Sequence, residues 1–352
     1  MAPFRKGMGL FFFGVILSTA FLFSSCYLTK QAVALLKQRS NAQSLENLRK
    51  STQITNEIAT LISRVDKIRQ FGVQQIGLKD SENYRSLVEL PQDYLVTVVS
   101  ACKPLSFERY SWWFPFFGSS PYLGFFDEHD ALEEAKRLKD QGWEIWVRHV
   151  DAFSTLGILK DPLFSFMSKY SEYRLANLIF HEQTHATVWS AGNFDFNEQL
   201  ATFMGDMSAL DYIGQEYGLN SPEYQAVGNE DLDQKKFYAD LGTLRERLNI
   251  IYTSALSAAE KQTAKTECIR QWQADFAANY ANYYHTADYR GVATMNLNNA
   301  FLDLYQTYTG RAGLFQRTLA QSGGTSQFIA LMRQAATSSN PFEWMEKRLA
   351  AP

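Results

Sequence analysis

Apolar residues recur at helical spacing over most of this chain. Gln31-Ala32-Val33-Ala34-Leu35-Leu36 opens one such stretch and Ile54 to Phe71 forms a second, which together predict an antiparallel helical pair over residues 28–73. From Tyr94 the period changes to two. Tyr94 to Val99 is rich in β-branched and aromatic residues, and Trp143 to Val150 alternates. Between them Asp127 to Gln141 reads as a helix capped by Asp127 and stopped by Gly142, so this region predicts a small sheet with one packed helix. Trp112-Trp113-Phe114-Pro115-Phe116-Phe117 is apolar without a clear period, and a core role is favoured over a cleft lining. Ser171 to Ala191 returns to helical spacing through Leu175, Leu178, Ile179, Val188 and Trp189. Ser168 or Ser171 is its N-cap and Gly192 its stop. Gly192-Asn193 marks a turn. Phe196, Leu200, Phe203 and Met204 then form the stripe of a following helix, capped by Asp195 or Asn197 and ended by Gly218. A connection this short makes the two helices antiparallel neighbours, and Gly205 permits their close approach. The chain from Asp231 onward is mainly helical, from Leu241 through Tyr280 and again from Asn298 to Tyr308.

The first helix of that pair contains His181-Glu182-Gln183-Thr184-His185. Residues four apart share a helix face, so both imidazoles can close on one metal ion with Glu182 beside its open position. Leu178-Ile179-Phe180 directly precede His181 and imply a largely buried helix, where two His and a Glu need partners that a cation supplies. A hydrogen-bonded pair of core histidines is the alternative. A third His six residues past His185 is excluded, because that position is Ala191. Glu198, in Phe196-Asn197-Glu198, is the expected third ligand. Asp195 is its rival, and a first-turn glutamate interacting with the helix dipole is the plainer reading of Glu198. Two His plus one Glu leave a fourth position open, as in catalytic rather than structural zinc sites. The chemistry expected is hydrolysis with Zn2+ held by His181, His185 and Glu198, and with Glu182 as general base. Tyr284, His285 and Tyr305 are further groups able to stabilise an oxyanion, although packing is the simpler role for each; His129 and His149 read as surface or core histidines.

Near the N-terminus, Arg5 and Lys6 precede an apolar run from Met8 to Phe23, followed by Ser24-Ser25-Cys26. The run is short for a membrane span. It resembles the lipobox of bacterial lipoproteins, with Phe23 at the usual Leu position, which implies cleavage before Cys26 and lipid attachment there. An uncleaved anchor is the alternative. Both place the rest of the chain outside the cytoplasm, and Tyr27 rather than Asp after the cysteine favours an outer-membrane lipoprotein facing the periplasm. Cys102 and Cys268 lack zinc-ligand spacing; they are two buried thiols or a pair bridged in an oxidising compartment.

With 46% hydrophobic and 14% aromatic residues, a sizeable core is available. A net charge of −3, with no basic patch interleaved with aromatics, argues against a nucleic-acid partner. No phosphate-binding glycine loop, nucleophile elbow or internal repeat is present.

Several blocks resemble a bacterial family of predicted aminopeptidases, zinc-dependent lipoproteins. They include Gln31-Ala32-Val33, Ile68-Arg69-Gln70-Phe71, Gly77-Leu78 and Tyr84-Arg85 near the N-terminus. Pro121-Tyr122-Leu123-Gly124-Phe125-Phe126 is similar to another block, with Leu123 at its arginine position. Val147-Arg148 through Ala152-Phe153-Ser154-Thr155-Leu156-Gly157 and Asp161-Pro162 follow, then Ile179 to His185, Phe196-Asn197-Glu198 and Asn298-Asn299-Ala300. The resemblance implies a peptidase acting on peptide substrates from a free N-terminus. A metalloendopeptidase of envelope proteins and a non-enzymatic lipoprotein scaffold with a vestigial zinc site are the alternatives. The expected fold is α+β and mostly helical, with a zincin-like (gluzincin-type) core, a small sheet, an N-terminal helical hairpin and a helical C-terminal region. Its expected organisation is a leader over 1–25, a helical region over 26–90 and a peptidase domain over 91–352. That domain divides into 91–165 (sheet and helix), 166–218 (metal-binding helix pair) and 219–352 (helical).

Overall fold

The computed structural model describes residues 27–51, 54–114, 118–150, 160–309 and 311–350. In chain order the elements are α1 (27–40), β1 (Gln43–Ser44), α2 (Leu45–Lys50), α3 (Asn56–Phe71), β2 (Ser86–Val88), β3 (Val96–Cys102), β4 (Trp112–Phe114), β5 (Gly118–Ser120), β6 (Tyr122–Phe125), α4 (Glu128–Asp140), β7 (Glu144–Val150) and β8 (Leu163–Phe164). Then come α5 (Glu172–Thr187), α6 (Phe194–Tyr217), α7 (Pro222–Thr253), α8 (Ala258–Tyr283), α9 (Asn299–Thr309), α10 (Ala312–Ser322), α11 (Thr325–Ala336) and α12 (Pro341–Ala350). The chain is mostly helical with small sheets, an α+β arrangement.

The main sheet has the order β6-β3-β7 and is antiparallel throughout, with Thr97 opposite Phe125 on one side and His149 on the other. Its central strand β3 is buried along its whole length, which suits its run of Val, Thr, Ala and Cys. The apolar stripe of α4 (Ala131, Ala135, Leu138) closes one face of this sheet against Val99, Ala101, Leu123 and Phe125. Asp127 caps α4 by accepting from the His129 amide, as its position before the stripe predicts. A second sheet, β1-β2-β8, joins three short strands from distant parts of the chain. It shares one core with α3, α5, α6 and α10–α12, so residues on both sides of position 90 pack together.

The N-terminal segment departs from the expected hairpin. α1 docks on the β6–α4 corner: Tyr27 donates to the Gly124 carbonyl, the Phe126 amide donates to Gln31 and Lys30 pairs with Asp130. The chain then runs through β1 and α2 before α3 begins. Helical periodicity finds such elements but carries no information on which neighbour each one meets. Trp112 and Phe114 pack inward as expected, whereas alternation leaves Trp113 63% exposed. The leader, Cys26 and the block 151–159 lie outside the described residues.

Candidate metal centre

The centre is built by α5 and α6, the two helices in most extensive contact. Ser171 caps α5 by accepting from the Arg174 amide at 3.1 Å. Leu175, Ala176, Ile179 and Phe180 are completely buried, so the helix enters the core one turn before its histidines. It ends at Thr187, four residues earlier than its apolar pattern predicts. The reason is the side-chain amide of Asn197: its Oδ1 accepts from the Ser190 amide and its Nδ2 donates to the Ser190 carbonyl, both at 2.8 Å. Those bonds draw the backbone out of the helix and fix the start of α6. Neither predicted cap of α6 acts as one: Asn197 binds Ser190, and Asp195 binds Arg109. Gly218 ends α6 in a positive-φ conformation, at 92°. Midway along α6, a Cβ at Gly205 would lie 3.0 Å from the Asn177 carbonyl oxygen and 3.4 Å from His181 Cβ. The missing side chain therefore sets how closely the helices approach.

That approach brings the three candidate ligands together. Nε2 of His181 and of His185 are 3.2 Å apart, and the Glu198 carboxylate lies 3.8 Å from the first and 3.6 Å from the second. Suitable donor atoms of all three fall within 4.8 Å of one another. His185 and Glu198 are almost sealed, while the His181 side chain keeps 19% exposure, so the cluster opens on the His181 side. Burial pushes His181 down to about 4 and His185 well below the ordinary imidazole value, with the neighbouring His181 contributing to the second shift. Both rings are thus neutral near pH 7, with lone pairs available for a cation. Burial raises Glu198 to about 7; Arg148 opposes that shift and Asp195 adds to it.

Asp195, the rival ligand, is committed elsewhere. Arg109 donates to Asp195 at 3.0 Å and pairs with Asp303 at 3.0 Å, tying the first turn of α6 to α9. Further along α6, Asn177 of α5 donates to Asp206 at 2.7 Å, and burial pushes that carboxyl up to about 7.

Glu182 is 7% exposed and lines a chamber of about 20 Å³ together with Leu35, Gln38, Arg39, Tyr84 and Asp161. Such a volume accommodates about one water molecule. Tyr84 has a left-handed backbone, with φ of 61°, and its amide donates to the Asp161 carbonyl at 2.6 Å. A bulky residue held in this conformation stores strain, which accumulates at functional sites. Burial raises the Tyr84 hydroxyl well above its ordinary range, and the charges of Glu182 and Asp161 push in the same direction. Arg39 pairs with Asp161 at 3.2 Å, so α1 forms one wall of the chamber.

The remaining candidates have the following surroundings. Tyr284 donates to Asp240 and His285 is held by Asp233, both at 2.8 Å. Tyr305 packs among Phe237, Tyr238 and Phe301, close enough to Arg148 to feel its charge. His149 stacks on Tyr94, and His129 lies on the surface of α4. Cys102 and Cys268 are both free and buried. Sequence reasoning passed over Tyr84, Arg109, Arg148 and Asp303 as site residues. Tyr84 and Arg148 lie in blocks that carry the family resemblance, and Arg148 also sits on an alternating strand; Arg109 and Asp303 act through a contact between segments 194 residues apart.

A model of the "Putative aminopeptidase" family matches residues 26–343. No curated protein and no solved structure matches the chain.

Proposed function

The chain belongs to the "Putative aminopeptidase" family, and on that premise we propose that it is a zinc-dependent peptide-bond hydrolase, an aminopeptidase anchored by lipid at Cys26 to a bacterial envelope. The observation that carries the reading is the convergence of two neutral imidazoles and one carboxylate, with Glu182 next to the first ligand in the chain. The donor set fits the ion. Two nitrogens and one oxygen from consecutive helices suit tetrahedral zinc with one open position. A divalent cation would also offset the cost of burying Glu198 as a carboxylate. The main sheet with α4, followed by the α5–α6 pair, is consistent with a zincin-like core of the gluzincin type.

When bound, zinc supplies Lewis acidity, polarising the scissile carbonyl and making water acidic enough to be deprotonated near neutral pH. The chain's own residues do the rest. Glu182 takes the proton of the attacking water on its carboxylate and returns it to the departing amine. The chamber beside Glu182 has room for about one water molecule, and the Glu182 side chain is nearly buried against it. Asn197 and Gly205 hold α5 and α6 in register, so the ligand atoms need little rearrangement to bind metal.

The test is zinc-loaded protein against peptides with free and with N-acetylated termini. Cleavage of the free peptides alone fits the aminopeptidase, whereas equal cleavage of both indicates an endopeptidase. Glu182→Gln should keep zinc and lose most turnover, and undiminished hydrolysis by that variant would refute the base assignment. Glu198→Ala should lower zinc retention; unchanged zinc content by elemental analysis would remove Glu198 from the ligand set.

A further inference from the structure

The outer face of α1 carries large apolar side chains interspersed with Thr29 and Ser40 and bordered by Lys30 and Lys37. Leu28, Val33 and Leu36 are 36%, 60% and 63% exposed. With Ala32 they fall within an arc of about 140° at 3.6 residues per turn. The opposite face, through Tyr27, Gln31 and Gln38, holds the protein, and Arg39, at the edge of the apolar arc in the last turn, reaches inward to Asp161. The helix carries Lys30, Lys37 and Arg39 and no acidic residue, in a chain whose net charge is −3. Its first described residue, Tyr27, follows Cys26 directly in the sequence, and no charged residue intervenes between Lys6 and Lys30. Tyr27 packs on Phe114 of β4, and the next residue back along that strand is the exposed Trp113.

We propose that Leu28, Val33 and Leu36 lie in the headgroup boundary of a lipid bilayer, so that α1 is a second, protein-borne membrane contact that fixes how the body sits on its anchor. The proposal rests on the envelope-anchored reading above and adds an orientation to it. An amphipathic helix with an apolar face and basic flanks takes this position in the plane of an interface. The alternative of a water-facing surface would leave three large apolar side chains exposed on one helix face beside the longest apolar run in the sequence. Because the inner face of α1 walls the Glu182 chamber, the same contact sets the distance between that chamber and the lipid.

The test is hydroxyl-radical footprinting of the full chain on vesicles of phosphatidylcholine and phosphatidylglycerol. Leu132, Leu219 and Ile250 serve as internal references, since all are exposed on other helices or turns. Oxidation at Val33 and Leu36 should fall severalfold relative to Ile250, with Leu132 and Leu219 unchanged. A chain that floats with the vesicles but is oxidised at Val33 and Leu36 in proportion to their exposure overturns the proposal and leaves the anchor standing. A chain that does not float overturns both. Protection that persists without lipid and rises with protein concentration assigns the face to a second copy and also overturns the proposal.

Discussion

Replacing Gly205 by Ala should separate α5 from α6 and loosen the metal centre, whereas the same replacement at Gly242 should stabilise the protein. The added Cβ at position 205 would meet the Asn177 carbonyl oxygen at 3.0 Å and His181 Cβ at 3.4 Å. Neither atom can swing aside, because one is helix backbone and the other is the root of a ligand. The helices must therefore move apart by a few tenths of an ångström. In a well-packed seam such overpacking costs about 1–3 kcal/mol, against a gain of about 1 kcal/mol from replacing a helical glycine. The net effect at 205 is a loss of up to about 2 kcal/mol. At Gly242, in the middle of α7, a Cβ meets nothing within 4 Å. Only the propensity gain remains there, about 0.5–1 kcal/mol in favour of folding. Urea denaturation of the metal-free proteins measures both signs. Displacing His181 from Glu198 should also weaken zinc about tenfold, comparable to losing a group that orients a ligand; competition with a chromogenic chelator reads this directly. Equal stability of the two variants together with unchanged zinc affinity would refute the claim that Gly205 sets the helix separation.

Two further predictions probe the surroundings of the centre. Asp206 is neutral in the folded protein up to about pH 7 but ionises near 3.8 when unfolded, so the folded state holds an extra proton between those values. Stability contributed by that proton is full below 3.8 and is lost as pH rises towards 7. Asp206→Asn should therefore gain a few kcal/mol over wild type between pH 4 and pH 8, since each pH unit crossed in that window removes about 1.4 kcal/mol from the wild type alone. A pH-independent difference in urea denaturation would contradict it. Arg109→Ala leaves the buried Asp303 with the more distant Arg245, at 3.9 Å. It should cost about 3 kcal/mol, of which a second change, Asp303→Asn, restores a part in a double-mutant cycle.

Much of the centre could be read from the chain because it is local. His181, His185 and Glu198 sit on two periodic helices joined by a short turn, and the spacing rules that place side chains on one face apply directly. The main sheet was also visible, since β3 and β7 are long enough to display their alternation. The second sheet was not: strands of two or three residues have no period, and β1, β2 and β8 pair only because the intervening chain brings them together. The early end of α5 escaped for a similar reason. Its apolar pattern runs on to Trp189, but two hydrogen bonds from Asn197 outweigh the propensity of the last turn. Docking of α1 depends on Gly124, Phe126, Asp130 and Asp161, about 90 to 130 residues away, and no local pattern encodes such a pairing.

The ligands and the chamber differ in how much of the chain must be assembled to make them. Only 17 positions separate His181 from Glu198, and closing so short a loop costs little entropy. The three donor side chains therefore need only the α5–α6 hairpin to come within reach of one another. The pocket around the base, in contrast, draws on residues 35 to 182 and exists only once α1 has docked. On the proposed reading, the donor set for the ion would therefore come together before the pocket beside Glu182 does.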